Sequence, residues 1–397
     1  MQTFFNRIAW ARMQQYISRY SSHRILVSGG YGRTLVANMV FAAIKEHRHV
    51  RLGYPVQDEA DIPLSMLGVT HEKVHENMIS FLIGTKKREL AEKEPDIIIT
   101  ELPILKPDFA SDAVKKILPN MVVLHHIGSE HLDLFGTSQN LIHEYEEMLY
   151  NLASDTVLVA NSDDEHVKTL TSNARVKLIS YGRYENANIR LTRAVRGESR
   201  DGIFIELLVN KKSYESFLPN LFAKEHVSAL LAAVACAHVR GIDISYVLNA
   251  VKKMHIPHGA LQMIETSRGA TILTEHMECP EQMIESLKTL GSLPHSGRKI
   301  AVLGDCEQLG SETISLHEKI GAQAAEIAPY IIFVGDMMRA AQKVVDSQQK
   351  NIDTHHFVTS QEAATWINQH IKSSDMIYIA GGKSMDMELI VERLCQN

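Results

Sequence analysis

The sequence predicts an α/β protein: a doubly wound, mainly parallel central sheet of P-loop type, followed by a Rossmann-like C-terminal α/β unit. Three observations predict it. A short apolar run, a glycine turn and a helix-favouring apolar segment follow one another between Arg24 and Asn38. Apolar runs ending on polar residues, DIIITE at 96–101 and MVVLHH at 121–126, alternate with helical patterns, which implies parallel strands with helices on both faces. After Pro257-His258-Gly259 the same alternation resumes and continues to the C-terminus. A chain of 397 residues is long enough for two or three domains. We place an N-terminal helix at 1–22, a central domain at 23–256 and a C-terminal domain at 257–397.

In chain order, Phe4, Phe5, Ile8, Met13, Tyr16 and Ile17 stand at helical spacing among Arg7, Arg12 and Arg19. A helix packed on the first domain is expected there, with a membrane-surface or partner-binding helix as the alternative. Ile25 to Ser28 reads as a strand and Leu35 to Ile44 as a helix. Gly53 to Thr70, rich in Gly, Pro and acidic residues, reads as a loop, and His71 to Glu94 as a long helix. Strands at 96–101, 121–126 and 157–160 enclose a turn at 103–113 and a helix at 114–118. Short alternating segments in 176–218 suggest a small antiparallel element, followed by helices at 222–240 and 244–254. From Ala270 strands are expected at 271–273, 299–303, 330–334, 356–358 and 376–379. Helices are expected at 280–290, 313–327, 337–347, 361–371 and 385–394. Ligands of such sheets bind beyond the carboxyl ends of the strands, the edge that Glu101, His126 and the Gly29 turn would share.

Composition narrows the function classes. With 45% hydrophobic and 22% charged residues the chain is an ordinary globular one. A net charge of −6 with scattered basic residues gives no nucleic-acid footprint. No apolar run approaches the roughly 18 residues of a membrane span. Cys236, Cys279, Cys306 and Cys395 lack CxxC spacing, so reduced thiols and a cytoplasmic location are expected. None of the 20 histidines forms an H-E-x-x-H pattern, so a dedicated zinc site is not expected, and the pair His355-His356 reads as solvated surface.

The chemistry centres on Gly29-Gly30-Tyr31-Gly32-Arg33-Thr34. A glycine turn into a helix presents backbone N–H groups and the positive end of the helix dipole to one spot, which suits a phosphate. Arg33 takes the place of the P-loop lysine and Thr34 that of the magnesium-binding hydroxyl. An ordinary tight strand-to-helix turn is the other reading of the same residues. Glu101 is a metal or catalytic candidate, or else caps the next helix or pairs with Lys106. His131 is a candidate ligand, or else a hydrogen-bonded histidine fixing a loop. Asp305 could reach a substrate or cap its turn, and Lys383 could supply charge or lie on the surface.

From about residue 24 to residue 395 the chain resembles the Mur ligase family, most closely its D-alanyl-D-alanine-adding branch. The segments that carry the likeness are the glycine turn, ELP at 101–103, IGSEHLDLFG at 127–136, NSDDEHV at 161–167, VLGDCEQLGSETISLH at 302–317 and AGGKSMDMELIVERL at 380–394. The resemblance implies an ATP-dependent ligase that joins a carboxylate to an amine through an acyl phosphate, on a small-molecule or peptide substrate linked to the cell wall. It further implies that Gly29, Gly30 and Gly32 cradle the phosphates, that Arg33 reaches the outer ones, and that His226 stands near the adenine. Thr34 and Glu101 would hold one Mg²⁺ and His131 a second, which makes Arg33, Glu101 and His131 the catalytic set.

The departures are equally specific. Arg33 stands for a lysine, His126 for an asparagine and Glu130 for a shorter or neutral residue. Tyr145 stands where the family carries a carbamylated, metal-binding lysine. Ala260 replaces an arginine, Glu275 and His276 fall among usual aspartates and a tyrosine, and Ala380 and Lys383 replace a lysine and an arginine. Only about 23 residues precede the nucleotide strand, so the family's UDP-binding domain has no counterpart here, and a protein partner would replace it. The surviving Gly29, Gly32, Thr34, Glu101 and His131 favour an active ligase. A catalytically degenerate relative acting as a binding or regulatory partner is the alternative, and a simple kinase or NTPase is a third reading.

Overall fold

The computed structural model describes residues 2–69, 94–197, 202–277, 279–348 and 351–396. The helix expected over 71–94 therefore lies outside the described residues, except for Glu94.

The first sheet has nine strands in the order β2-β3-β1-β4-β5-β6-β7-β8-β9. These are β1 His23–Ser28, β2 Val50–Leu52, β3 Ile97–Leu102, β4 Met121–Leu124, β5 Val157–Asn161, β6 Lys177–Gly182, β7 Ile189–Arg196, β8 Ile203–Val209 and β9 Lys212–Leu218. Strands β2 to β6 are parallel, and β8 and β9 turn antiparallel. The central strands carry unbroken apolar runs at 25–27, 97–99 and 121–124 because both faces are covered there, and successive side chains alternate between them. Ile25 and Val27 pack with Leu35, Met39 and Leu230, from the helices Arg33–Ile44 and Lys224–Val239. Leu26 faces the other way, into a core with Trp10, Met13, Phe109 and Met148. Each such side chain, fully removed from water, contributes about 1.5–3 kcal/mol. The N-terminal helix Gln2–Arg19 packs here through Trp10, whose ring meets Phe109 edge-on at 6.4 Å.

The second sheet runs β10-β11-β15-β12-β13-β14: β10 Gln262–Glu265, β11 Thr271–Thr274, β12 Lys299–Gly304, β13 Tyr330–Val334, β14 Asp353–Phe357 and β15 Met376–Ala380. All pairs are parallel except β10 with β11. No helix among the described residues is long and apolar enough to cross a membrane.

Four expectations need correction. The segment 53–70 contains the helix Asp61–Leu67: Asp58 Oδ1 accepts the Ala60 N–H at 2.7 Å, Pro63 lies in the first turn where its missing N–H costs nothing, and Gly68 ends the helix at φ 73°. The turn expected over 103–113 gives way at Phe109 to the helix Phe109–Ile117, with Glu144 Oε1 accepting the Ala110 N–H. In the 176–218 element β7, β8 and β9 are antiparallel as expected, but β6 pairs parallel with β5 and with β7 and so joins them to the first sheet. His355 and His356 are half-buried: the first lies against Trp366 with ring centroids 4.2 Å apart, and the second meets Gly335 O at 2.8 Å.

Candidate functional site

The glycine turn lies at the carboxyl end of β1, between the ends of β3 and β4. Gly29, at φ 135°, runs so close to β4 that an added Cβ would sit 2.6 Å from His126 O. Gly30 donates its N–H to that carbonyl at 2.6 Å. Gly32, at φ 76°, precedes the helix Arg33–Ile44, which starts without a side-chain cap. A left-handed residue at this point favours glycine.

The expected site residues largely converge. Thr34 Oγ1 donates to Glu101 Oε1 at 2.8 Å, and Arg33 Nε lies 3.8 Å from Glu101 Oε2. Arg33 is buried and folds back over the turn, where Nη1 donates to the carbonyls of Gly29 and of Gly30, the latter at 2.7 Å. His131, in the left-handed region at φ 55°, is held well enough from water to lower its pKa, and the Arg33 charge lowers it further. Its ring hydrogen-bonds Gln308 of the second unit, and Nδ1 is buried with no hydrogen-bond partner among the described residues.

His226 is not part of this group. Fully buried, it accepts from Phe222 N at 3.4 Å through Nδ1 and meets Leu261 O at 3.0 Å through Nε2, tying the two units together; burial lowers its pKa to about 4. The expected adenine contact is corrected accordingly, since the ring's polar atoms are committed to backbone. Its neighbour Glu225 reaches the turn instead, with Oε1 3.2 Å from where a Cβ on Gly32 would lie.

Two carboxylates that family likeness did not place at the turn dominate it. Glu130, buried, presses its Oε2 into the space left by the missing side chain of Gly30. Its Oε1 accepts from the fully buried Tyr145 phenol at 2.6 Å. Burial pushes the Glu130 carboxyl up to about 7, against the opposing effects of the Tyr145 hydrogen bond and the Arg33 charge. From the second unit, Glu281 in the first turn of the helix Pro280–Ser292 takes the Ser129 N–H at 3.0 Å and the Ser129 hydroxyl at 2.6 Å. Cys279 and Glu281 both close on Gly128, where an added Cβ would lie 2.6 Å from the thiol sulfur and 3.3 Å from the Glu281 carboxylate. Tyr31 is buried under this cover and stacks on His126 at 4.7 Å.

In this arrangement the residues do not fit Mg²⁺ and a triphosphate. The loop cation is bound to loop carbonyls, Thr34 and Glu101 are bound to each other, and Glu130 and Glu281 bring carboxyl groups against Gly30, Gly128 and Ser129, where an anion would have to lie. Glu130 and Tyr145 stand 15 residues apart in the chain, and only the fold shows that these two departures form one pair. Glu281, behind Cys279-Pro280, reads in the sequence as an ordinary acidic residue of a helix start.

Other candidates resolve structurally. Asp305 accepts the Met337 and Met338 N–H groups at 3.1 and 2.7 Å and so caps a helix. Lys106 pairs with Glu59 and not with Glu101. Lys383 bridges the units, donating to Gln57 Oε1 at 3.1 Å. Glu275 accepts from Tyr378 at 2.6 Å and from Gln282 at 2.9 Å inside the second unit. None of the four cysteines is joined in a disulfide among the described residues.

Comparison with known proteins agrees with the architecture. Residues 27–237 match the Mur ligase middle domain, and residues 261–382 match the Mur ligase glutamate ligase domain. The chain is 20% identical over 392 residues to the UDP-N-acetylmuramoyl-tripeptide–D-alanyl-D-alanine ligase of Bacillus subtilis, covering 96% of this chain and 78% of that protein. It is similar in fold to MurF ligase from Thermotoga maritima in complex with ADP, with a TM-score of 0.81 at 17% identity over 98% of this chain and 83% of that one. MurF from Acinetobacter baumannii gives 0.80 at 18% identity, over 99% and 80%. Of other relatives the chain spans less, 66% of the Rickettsia prowazekii ligase and 52% of an Oceanobacillus iheyensis synthetase.

Proposed function

The chain belongs to the Mur ligase family, and we propose that this member has a nucleotide pocket closed by its own side chains and works as a non-catalytic binding or regulatory protein in cell-wall peptide assembly. The observation that carries this reading is the Glu130 carboxylate lying against Gly30 and held there by Tyr145. Glycine at that position permits close approach to the backbone, and here the group that approaches is the chain's own carboxyl. Glu281 occupies the neighbouring position by accepting from both donors of Ser129, whereas Glu130 Oε2 lies against Gly30 with no hydrogen-bond partner among the described residues. A polyphosphate would have to displace two carboxylates and detach Arg33 from Gly29 and Gly30. Like charges about 4 Å apart repel by roughly 1–4 kcal/mol per pair near a protein surface, so a retained carboxylate at Glu281, and at Glu130 above the pH of about 7 to which burial raises its pKa, weighs against binding.

Magnesium-dependent ADP release tests the proposal, with peptide carboxylates as acids and amino acids or D-alanyl-D-alanine as amines. No ADP above the buffer rate and no amide product are expected. ADP release coupled to amide formation overturns the reading.

One observation favours a second reading, an active ATP-dependent carboxylate–amine ligase. Thr34, Glu101 and His131 gather around Arg33, the arrangement the family likeness implies for nucleotide and metal. Under it a small-molecule or peptide substrate is held with the help of a partner protein, and withdrawal of the second unit carries Glu281 off Ser129.

A further inference from the structure

Away from the glycine turn, three side chains from distant parts of the second unit meet at the mouth of a cavity of about 230 Å³. His258 lies in the turn before β10, His276 two residues beyond β11, and Glu388 at the start of the helix Glu388–Cys395. The fold holds the two histidine segments together through the His276 N–H, which donates to Gly259 O at 2.9 Å. Gly259, at φ 90°, lets the His276 ring lie against the backbone, where an added Cβ would be 2.7 Å from Nδ1. Both Nε2 atoms are directed at one carboxylate oxygen: Glu388 Oε1 is 2.5 Å from His276 Nε2 and 3.8 Å from His258 Nε2. The rings stand at 79° to each other, 4.8 Å between centroids.

We propose that His258, His276 and Glu388 form a binding site for a first-row divalent cation of the zinc class. The three ligand atoms lie within 4.8 Å of one another. Donors around a tetrahedral zinc, at bond lengths of about 2.0–2.1 Å, are about 3.4 Å apart, so small rotations of exposed side chains complete the site. Two imidazoles and one carboxylate select zinc, cobalt or nickel over magnesium, which prefers an all-oxygen octahedron. The remaining position faces the cavity, where Glu392 stands one helical turn beyond Glu388 on the same face. Because the ligands are 18 and 112 residues apart, no spacing pattern in the sequence announces them. The bound cation would clasp the terminal helix to the segment that leads into Cys279 and Glu281.

Calorimetric titration of the chelator-stripped full chain with zinc chloride, and separately with magnesium chloride, tests the site. One equivalent of zinc is expected to bind saturably and magnesium to give no saturable heat. Even an indirect supporting residue of a metal site is worth 10–100-fold in affinity, so His276→Ala and Glu388→Gln should each weaken zinc binding by at least about tenfold. His143→Ala, an exposed histidine elsewhere, should leave it unchanged. Unchanged melting temperatures of the stripped variants show that they fold. Absence of stoichiometric zinc binding, or binding that survives His276→Ala and Glu388→Gln, overturns the proposal.

Discussion

Replacing Glu130 by glutamine is expected to widen the stability gap between variant and parent by about 2–3 kcal/mol between pH 5 and pH 8, in favour of the variant. The expectation follows from where the carboxyl sits. Its pKa is raised from 4.5 to about 7 chiefly by burial, so the folded protein prefers the protonated acid. A carboxyl whose folded pKa exceeds its unfolded value contributes stability that is fully present below about pH 4.5 and is lost as pH rises through about 7. Glutamine cannot ionise, keeps a carbonyl oxygen for the Tyr145 phenol, and removes that loss. Urea unfolding at a series of pH values measures the gap. Parallel profiles for the two proteins would mean that Glu130 is hydrated and the turn open.

Gly30→Ala is expected to destabilise the protein by about 3 kcal/mol, at the upper end of what overpacking costs. The added Cβ would overlap the Glu130 carboxylate and come within 2.7 Å of Gly128 N, and a backbone atom cannot swing aside as a side-chain end can. The double variant Gly30→Ala/Glu130→Ala should recover part of the loss, because one of the two obstacles is gone. A loss below about 0.5 kcal/mol, within the range of ordinary surface substitutions, would show that the carboxylate does not occupy the turn. Denaturant midpoints at constant slope read both effects.

Much of this architecture was legible beforehand, for identifiable reasons. The runs 25–27, 97–99 and 121–124 are unbroken apolar stretches because both sheet faces are covered, and that pattern has few other readings. The glycine turn, Thr34, Glu101 and His131 come together because parallel strands deliver their carboxyl ends to one edge. What escaped depended on local cap residues that also suit a loop, or on contacts between residues that sequence does not connect. The helix Asp61–Leu67 is set by Asp58, Pro63 and Gly68, residues that in sequence read as a loop. β10 escaped because Gln262-Met263-Ile264-Glu265 is too short to read as a strand without its partner β11. His226 sits at the expected helix start, yet its ring turns inward to Leu261, which local sequence does not reveal. Glu130 and Tyr145 each looked like isolated departures, and their meaning lies in the hydrogen bond between them.

The central claim, a nucleotide turn occupied by the chain's own carboxyl groups, is tested most directly by calorimetric titration with Mg²⁺ and ATP of the parent protein and of a variant carrying Arg33→Lys, Glu130→Ala and Glu281→Ala. The account predicts no saturable heat for the parent up to millimolar ATP, and saturable binding in the variant once the two carboxylates are gone and the loop regains its lysine. One-to-one micromolar binding of ATP by the parent, unaltered by those substitutions, would contradict it.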